Sequence, residues 1–421
     1  MIQKIIEKLK SPAILYTLSS LIYSFSTYMV LLFVPYKLNL ESMAQFSAVV
    51  NISMMLSFVF EFGVVTSFLR FNQLYAITKY INAYMQIVIF LIMILLSISF
   101  LGDPIDSFLG IDKIDVKRSY VYLIAFAILS WVFFKNIFLS NKKIGTIFVN
   151  AVVLTLIRLI SLAVILFSSY NFSIEDILLY LFIAPFAVIM FYNLNYDLGA
   201  IKDSIKFFSN IRAKRIFFKR FKTILIFALT TYVISLLFVY TSRYPIIYLT
   251  KENATKLLAE IGYATSIGGM IIIFSVSIRS YLISKFNISN TDEIKRYIET
   301  MFSYRYKFLI ATFLLSTLLS LVVYYIKPSY LSFDTVIYVF ILVVSYAFST
   351  YLGMFSLLSK TFNFNNLELR LNILRLILVL FWTNLFLIDH NMIGYIGLNL
   401  SMVAVEFIFA KIVLNRVAQK R

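Results

Sequence analysis

The chain is expected to be an all-α polytopic membrane protein with about twelve transmembrane helices. Three observations carry that expectation. Of 421 residues, 61% are hydrophobic and only 14% charged, where soluble domains hold about a quarter charged. Apolar runs of about 18 residues or more, long enough to cross a bilayer, recur along the whole length. One long basic segment interrupts an otherwise regular alternation of apolar runs and short loops. Mean hydropathy is +0.89, in keeping with this pattern.

The first span, near 13–36, follows an amphiphilic start from Met1 to Lys10 and is long enough to cross, so it is expected to be a span and not a cleaved signal. The second, 43–69, opens after a short polar loop and contains Glu61. Spans 80–101 and 119–140 flank a loop rich in acid, with Asp103, Asp106, Asp112 and Asp115. Spans 144–169 and 174–195 close the first half. Then comes the basic segment, with Lys202, Lys206, Arg212, Lys214, Arg215, Lys219, Arg220 and Lys222 against Asp197 and Asp203. It divides the chain into an N-terminal six-helix lobe (1–195), a basic cytoplasmic linker (196–222) and a C-terminal six-helix lobe (223–421). Spans 223–249, 257–283, 306–326, 330–358, 365–388 and 391–411 make up the second half.

Lys and Arg concentrate in alternate loops and both tails, while the opposite loops hold most of the loop acid, so both termini are expected in the cytoplasm. The net charge of +18 reflects this asymmetry and favours anionic lipid headgroups. Because the basic residues are spread over every inner loop, they do not form a nucleic-acid patch. Cysteine is absent, which excludes disulfides and thiol chemistry. The halves also align: registering Phe46 on Tyr263 puts Glu61 opposite Ile278, next to Arg279, as expected where two repeats enclose a midplane site.

Seven ionisable residues fall inside spans: Glu61, Lys135, Arg158, Arg243, Arg279, Arg375 and Glu406. Charge at membrane depth costs roughly 2.5–3.5 kcal/mol per Arg or Lys even on insertion scales, so it turns to a bundle interior or a wet cavity. Five of the seven are basic, which points to something anionic held or passed there.

Several short motifs have a wider resonance. Leu40-Glu41-Ser42-Met43-Ala44-Gln45-Phe46-Ser47 leads to Phe60-Glu61-Phe62-Gly63 and Arg70-Phe71, with Arg243-Tyr244 and Glu260-Ile261-Gly262-Tyr263 further on. In these the chain resembles the polysaccharide transporter family, the O-antigen and exopolysaccharide flippases of the multidrug/oligosaccharidyl-lipid/polysaccharide exporter superfamily. Glu61 stands where that family usually has Asp, and Ser242 where it has Asp before the Arg. The resemblance implies two six-helix lobes around a central cavity in the bacterial cytoplasmic (inner) membrane. It also implies movement of an undecaprenyl-diphosphate-linked oligosaccharide, an O-antigen, capsule or exopolysaccharide repeat unit, to the outer leaflet by alternating access. Polysaccharide-assembly proteins are then expected partners beside the lipid-linked glycan and membrane lipid.

Such a substrate needs partners for its diphosphate and for its sugar hydroxyls across about 30 Å of hydrocarbon. Arginine suits the first, since its planar fork binds phosphate bidentately and keeps its charge. Arg158, Arg375, Arg243 and Arg279 are therefore the cationic cavity candidates. Arg158 sits mid-span, and in its lobe only Glu61 is deep enough to pair with it. Arg375 shares a face with Glu368 and Asn372 (i, i+4, i+7), about eleven residues or ~16 Å from the cytoplasmic end. It is either a diphosphate ligand or the partner of Glu406 or Glu368 in a buried salt bridge. Arg243 either takes part in the site or snorkels to the outer interface, and Lys135 and Arg279 are placed to snorkel inward. Glu61 is either a protonatable coupling group or a structural residue that pairs with Arg158 or packs at the helix end beside Gly63, and Glu406 and Glu368 are further coupling or salt-bridge candidates. Tyr16, Ser20, Tyr23 and Thr27 form a stripe (i, i+4, i+7, i+11) that either contacts sugar or packs on another helix, and Asn372 is a further sugar-contact candidate.

No cofactor is expected; proton or sodium coupling stays open. The sequence has no Walker A loop and no Cys- or His-based metal spacing, so it is not expected to hydrolyse ATP or act as an enzyme. A multidrug exporter would favour an acidic or aromatic cavity. The major facilitators usually carry a Gly-rich signature where this chain reads Arg70-Phe71-Asn72-Gln73-Leu74-Tyr75. A polysaccharide polymerase or ligase generally carries reactive residues on a large outer loop, and the longest here, 102–118, is short and acidic.

Overall fold

The computed structural model describes residues 12–61, 103–140, 143–196, 211–269, 291–361 and 365–419, and among these every regular element is a helix. We number them α1 Pro12–Phe33, α2 Leu40–Glu61, α3 Asp103–Leu109, α4 Arg118–Ser140 and α5 Ile144–Phe167. Helix α6 comprises Ile174–Leu178, a π-helical turn Leu179–Ile183 and Ala184–Tyr196. They continue as α7 Ile211–Lys251, α8 Thr255–Gly268, α9 Thr291–Ser303, α10 Arg305–Ile326 and α11 Asp334–Thr361. Helix α12, Asn365–Trp382, runs into a second π turn, Thr383–Leu387, before α13, Asn391–Gln419.

Among the described residues nine helices are long and apolar enough to cross a membrane, and α4 adds a shorter apolar stretch, Arg118–Val132. The protein is thus an all-α polytopic membrane protein. The expected span 80–101, the later part of 257–283 and Arg279 with it lie outside the described residues. One boundary differs clearly from expectation: α7 is a single 41-residue helix beginning at Ile211, inside the segment expected to be a loop. The residues there favour this, since Arg, Lys and Phe carry no helix-breaking feature and neither Gly nor Pro occurs before Pro245.

The chain forms two compact units, one of Met1–Lys37 and Ala48–Arg243, the other of Leu38–Ser47 and Tyr244–Arg421. In the first, α1 lies along α5, and α4, α5 and α6 pack together. Their shared core holds Ala127, Trp131, Leu154, Phe186 and Ile189, with Tyr23 of α1 stacked on Trp131 at 5.2 Å. At one end, polar contacts join the loops. Asp106 accepts from the Tyr122 hydroxyl (2.6 Å) and pairs with Arg118 (3.3 Å), Lys117 pairs with Glu175, and Ser173 and Asp176 form a capping box at the start of α6. Gly110, at φ 74°, takes the left-handed turn that ends α3.

In the second unit α11 is central, packing on α8, α10 and α13. Eight successive residues of α8, Leu257 to Ala264, are buried. Gly262 permits this closeness, because a Cβ there would run into Ser47. Amphipathic α9 puts Ile294, Tyr297 and Met301 into a core with Leu358, Val405, Phe409 and Val413, and leaves Lys295 and Arg296 exposed.

Candidate functional site

The polar stripe of α1 lies inside the first unit, where two cations from other helices meet it. Lys135 of α4 donates from Nζ to Ser20 Oγ (3.3 Å) and lies 4.9 Å from the centre of the Tyr16 ring. Seven residues further along α1, about 10 Å at 1.5 Å per residue, Arg158 of α5 donates from Nη1 to Thr27 Oγ1 (2.7 Å). Its Nε donates to the Leu181 carbonyl at 3.1 Å. That carbonyl is available for a reason written in the sequence. In α-helical register its donor would be residue 185, and Pro185 has no N–H. The π turn Leu179–Ile183 widens the helix at the same place.

Three aromatic faces enclose the Arg158 guanidinium, those of Tyr23 (5.3 Å), Phe182 (5.6 Å) and Phe186 (4.9 Å). Each such contact contributes about 0.5–2 kcal/mol. The side chain is 1% exposed. Among the described residues neither Arg158 nor Lys135 has a carboxylate partner. Their partners are a carbonyl, hydroxyls and π faces, which hold a cation in place without cancelling its charge.

Arg243 turns towards α2 within the same unit, and not outward along its own helix. It donates from Nη1 to Asn51 Oδ1, and its Nη2 lies 3.6 Å from Met54 Sδ. Asn51 is buried eleven residues into α2, or about 16 Å along it. The Glu61 side chain lies outside the described residues.

The second unit treats its arginine differently. Arg375 of α12 is ion-paired through Nη2 to Glu406 of α13, and its Nη1 donates to Asn372 Oδ1 at 2.7 Å. All three residues are buried. Glu368, on the same face of α12, adds a further favourable field on the guanidinium. The arrangement fastens α12 to α13 at depth.

Three positions that this geometry brings forward were not named as site candidates by sequence reasoning. Lys135 was expected to snorkel, and its Nζ meets Ser20 and Tyr16 of the α1 stripe. Asn51 was one amide in an apolar run, and only its contact with Arg243 marks it. Glu260 stood out as part of a motif, not as an acid, and it is 1% exposed.

Solved structures of known proteins resemble the whole chain. The lipid II flippase MurJ, in an inward closed conformation, aligns with a TM-score of 0.65 and 14% identity, covering 96% of this chain and 87% of its own. A MATE protein in a bent conformation aligns with a TM-score of 0.54 and 14% identity, covering 99% of this chain and 95% of its own. No protein-family model and no curated protein matches the sequence. At such identities the likeness establishes the fold, which is the one the sequence resemblance implied.

Proposed function

We propose that this protein is a flippase of the polysaccharide transporter family, moving an undecaprenyl-diphosphate-linked oligosaccharide across the cytoplasmic membrane by alternating access between two lobes. The observation that carries this reading is the cationic seam on α1. Among the described residues, two buried or half-buried cations, Lys135 and Arg158, are held there by neutral groups. An exporter of cationic drugs has no use for such a seam, whereas a diphosphate does. The MurJ-like fold supports a lipid-linked substrate in the same direction.

With both termini cytoplasmic, α1 runs outward from Pro12, so Lys135 meets it near the inner leaflet and Arg158 deeper in. A diphosphate entering from the inner leaflet would meet the lysine first. It would then replace Thr27 Oγ1 on the Arg158 fork, exchanging one neutral acceptor for a charge-assisted bidentate pair. Arg243 and Asn51 offer a second cation and an amide for the same anion or for sugar hydroxyls. The polyprenyl tail would stay in lipid throughout. Nothing in this cycle makes or breaks a covalent bond.

The test is flipping of a fluorescent undecaprenyl-diphosphate glycan in proteoliposomes. Losing a charged hydrogen-bond partner costs about 1.5–3 kcal/mol, so Arg158→Ala and Lys135→Ala should each slow flipping about tenfold or more. Arg158→Lys should not restore the rate, since an ammonium cannot bind bidentately. Wild-type rates persisting in well-folded variants would sink the mechanism. Absence of wild-type flipping with several such lipids, alongside export of a drug, would sink the function itself.

A further inference from the structure

The arginine of the Arg243-Tyr244 motif meets α2 in the first unit, but its tyrosine belongs to the second and has a different setting. Tyr244 and Tyr248 are one turn apart near the end of α7, and their rings stack at 6.3 Å with 28° between the planes. The Tyr244 hydroxyl donates to Asn384 Oδ1 at 3.1 Å. Asn384 lies in the π turn that follows α12, a kind of turn frequent at functional sites. Its Nδ2 donates to the Leu380 carbonyl at 2.8 Å, which uses one of two amide hydrogens. Two carboxylates complete the group, since Glu252 and Asp389 are both within electrostatic reach of Tyr248. Glu252, Asn384 and Asp389 are exposed, and the two tyrosines are half-buried.

An interfacial tyrosine on its own needs no special account. Carboxylates beside it do, because the phosphates of lipid headgroups repel them. Among the described residues neither Glu252 nor Asp389 pairs with a basic side chain. The cluster therefore offers aromatic faces, carboxylate acceptors and an amide donor to something that is not an anion. A sugar matches each of these. The C–H face of its ring lies against an aromatic ring, and its hydroxyls both donate and accept. An ammonium group would use the carboxylates and the ring faces, but it has no lone pair for the amide.

We infer that Tyr244, Tyr248, Asn384, Glu252 and Asp389 form a carbohydrate subsite at the end of the second unit where α7 and α12 finish. In the proposed orientation that is the outer end, where a glycan arrives after crossing. The source of the sugar rests on the flippase reading; the affinity of the subsite for a free sugar does not.

Saturation-transfer NMR on the purified full-length chain in detergent tests this, with the methyl glycosides of glucose, galactose, rhamnose and N-acetylglucosamine as probes. Wild type should transfer saturation to the ring C–H protons of at least one of them. For that glycoside Tyr248→Leu, which removes an aromatic face, and Asn384→Ala, which removes the amide, should each raise Kd about three- to tenfold. Absence of transfer to all four glycosides would overturn the subsite, as would an unchanged Kd in both variants. Binding of tetramethylammonium that Tyr248→Leu abolishes, with none of any glycoside, would make the cluster a cation cage and overturn it too. If Tyr248→Leu does not fold, Asn384→Ala, at an exposed position, decides alone. Flipping in proteoliposomes separates the two readings. A chain that binds glycoside here and flips no lipid-linked glycan keeps the subsite and loses the flippase, while one that flips and binds no glycoside loses the subsite alone.

Discussion

Arg158 and Arg375 are both buried arginines in apolar helices, yet their neighbours give them different work. Arg375 faces a carboxylate, Glu406, so the pair is closed. Removing one partner of a buried pair typically costs about 3–5 kcal/mol, while replacing both with apolar residues of similar size is often neutral. Glu406→Ala should therefore lower the melting temperature sharply, and Arg375→Leu with Glu406→Leu should recover most of the loss. A double variant that is stable and still flips substrate would leave Arg375 a structural role; a stable one that cannot flip would bring it into the substrate path. Arg158, bound only by neutral groups among the described residues, should respond to anions instead.

The π turn in α6 links a proline to an arginine one helix away. With Pro185 unable to donate, the Leu181 carbonyl depends on Arg158 Nε. Arg158→Leu should thus cost more in the wild-type background than in Pro185→Ala, where a backbone N–H becomes available. The expected coupling is about 1 kcal/mol, from a double-mutant cycle of unfolding free energies. The contact of α8 with the first turns of α2 has a simpler logic. Gly262→Ala places a methyl where Ser47 already sits, and overpacking of this kind costs about 1–3 kcal/mol. Ser47→Gly should relieve it, and no recovery of the melting temperature would mean that the helices are spaced by something else.

For the molecule as a whole, orientation is the property on which the proposed direction of transport rests. The chain has no cysteine, so single cysteines report cleanly. Asn171→Cys, in the loop before α6, should react with a membrane-impermeant maleimide in intact cells. Lys143→Cys and Arg416→Cys should react only after permeabilisation. The reverse pattern would invert the topology and, with it, the order in which a substrate meets Lys135 and Arg158.

The class of this protein was legible because membrane crossing is a one-dimensional demand: a run of apolar residues satisfies it wherever the rest of the chain goes. Among the described residues the sequence alone placed the spans, apart from the start of α7, together with the grouping of charge in alternate loops and the single face shared by Tyr16, Ser20, Tyr23 and Thr27, since helical period needs no partner to be read. It also showed that Arg158 and Arg375 lie deep. Tertiary structure decided what each of them meets. Glu406 is thirty-one residues beyond Arg375, and Thr27 is 131 residues before Arg158. Spacing along one helix carries no information about such pairs, which come together only when the helices pack. The same holds for Lys135, whose flexible stem reaches an interface or a neighbouring helix equally well until that neighbour is in place. Glu260 was hidden for a related reason, because burial is a property of everything around a residue and not of the residue.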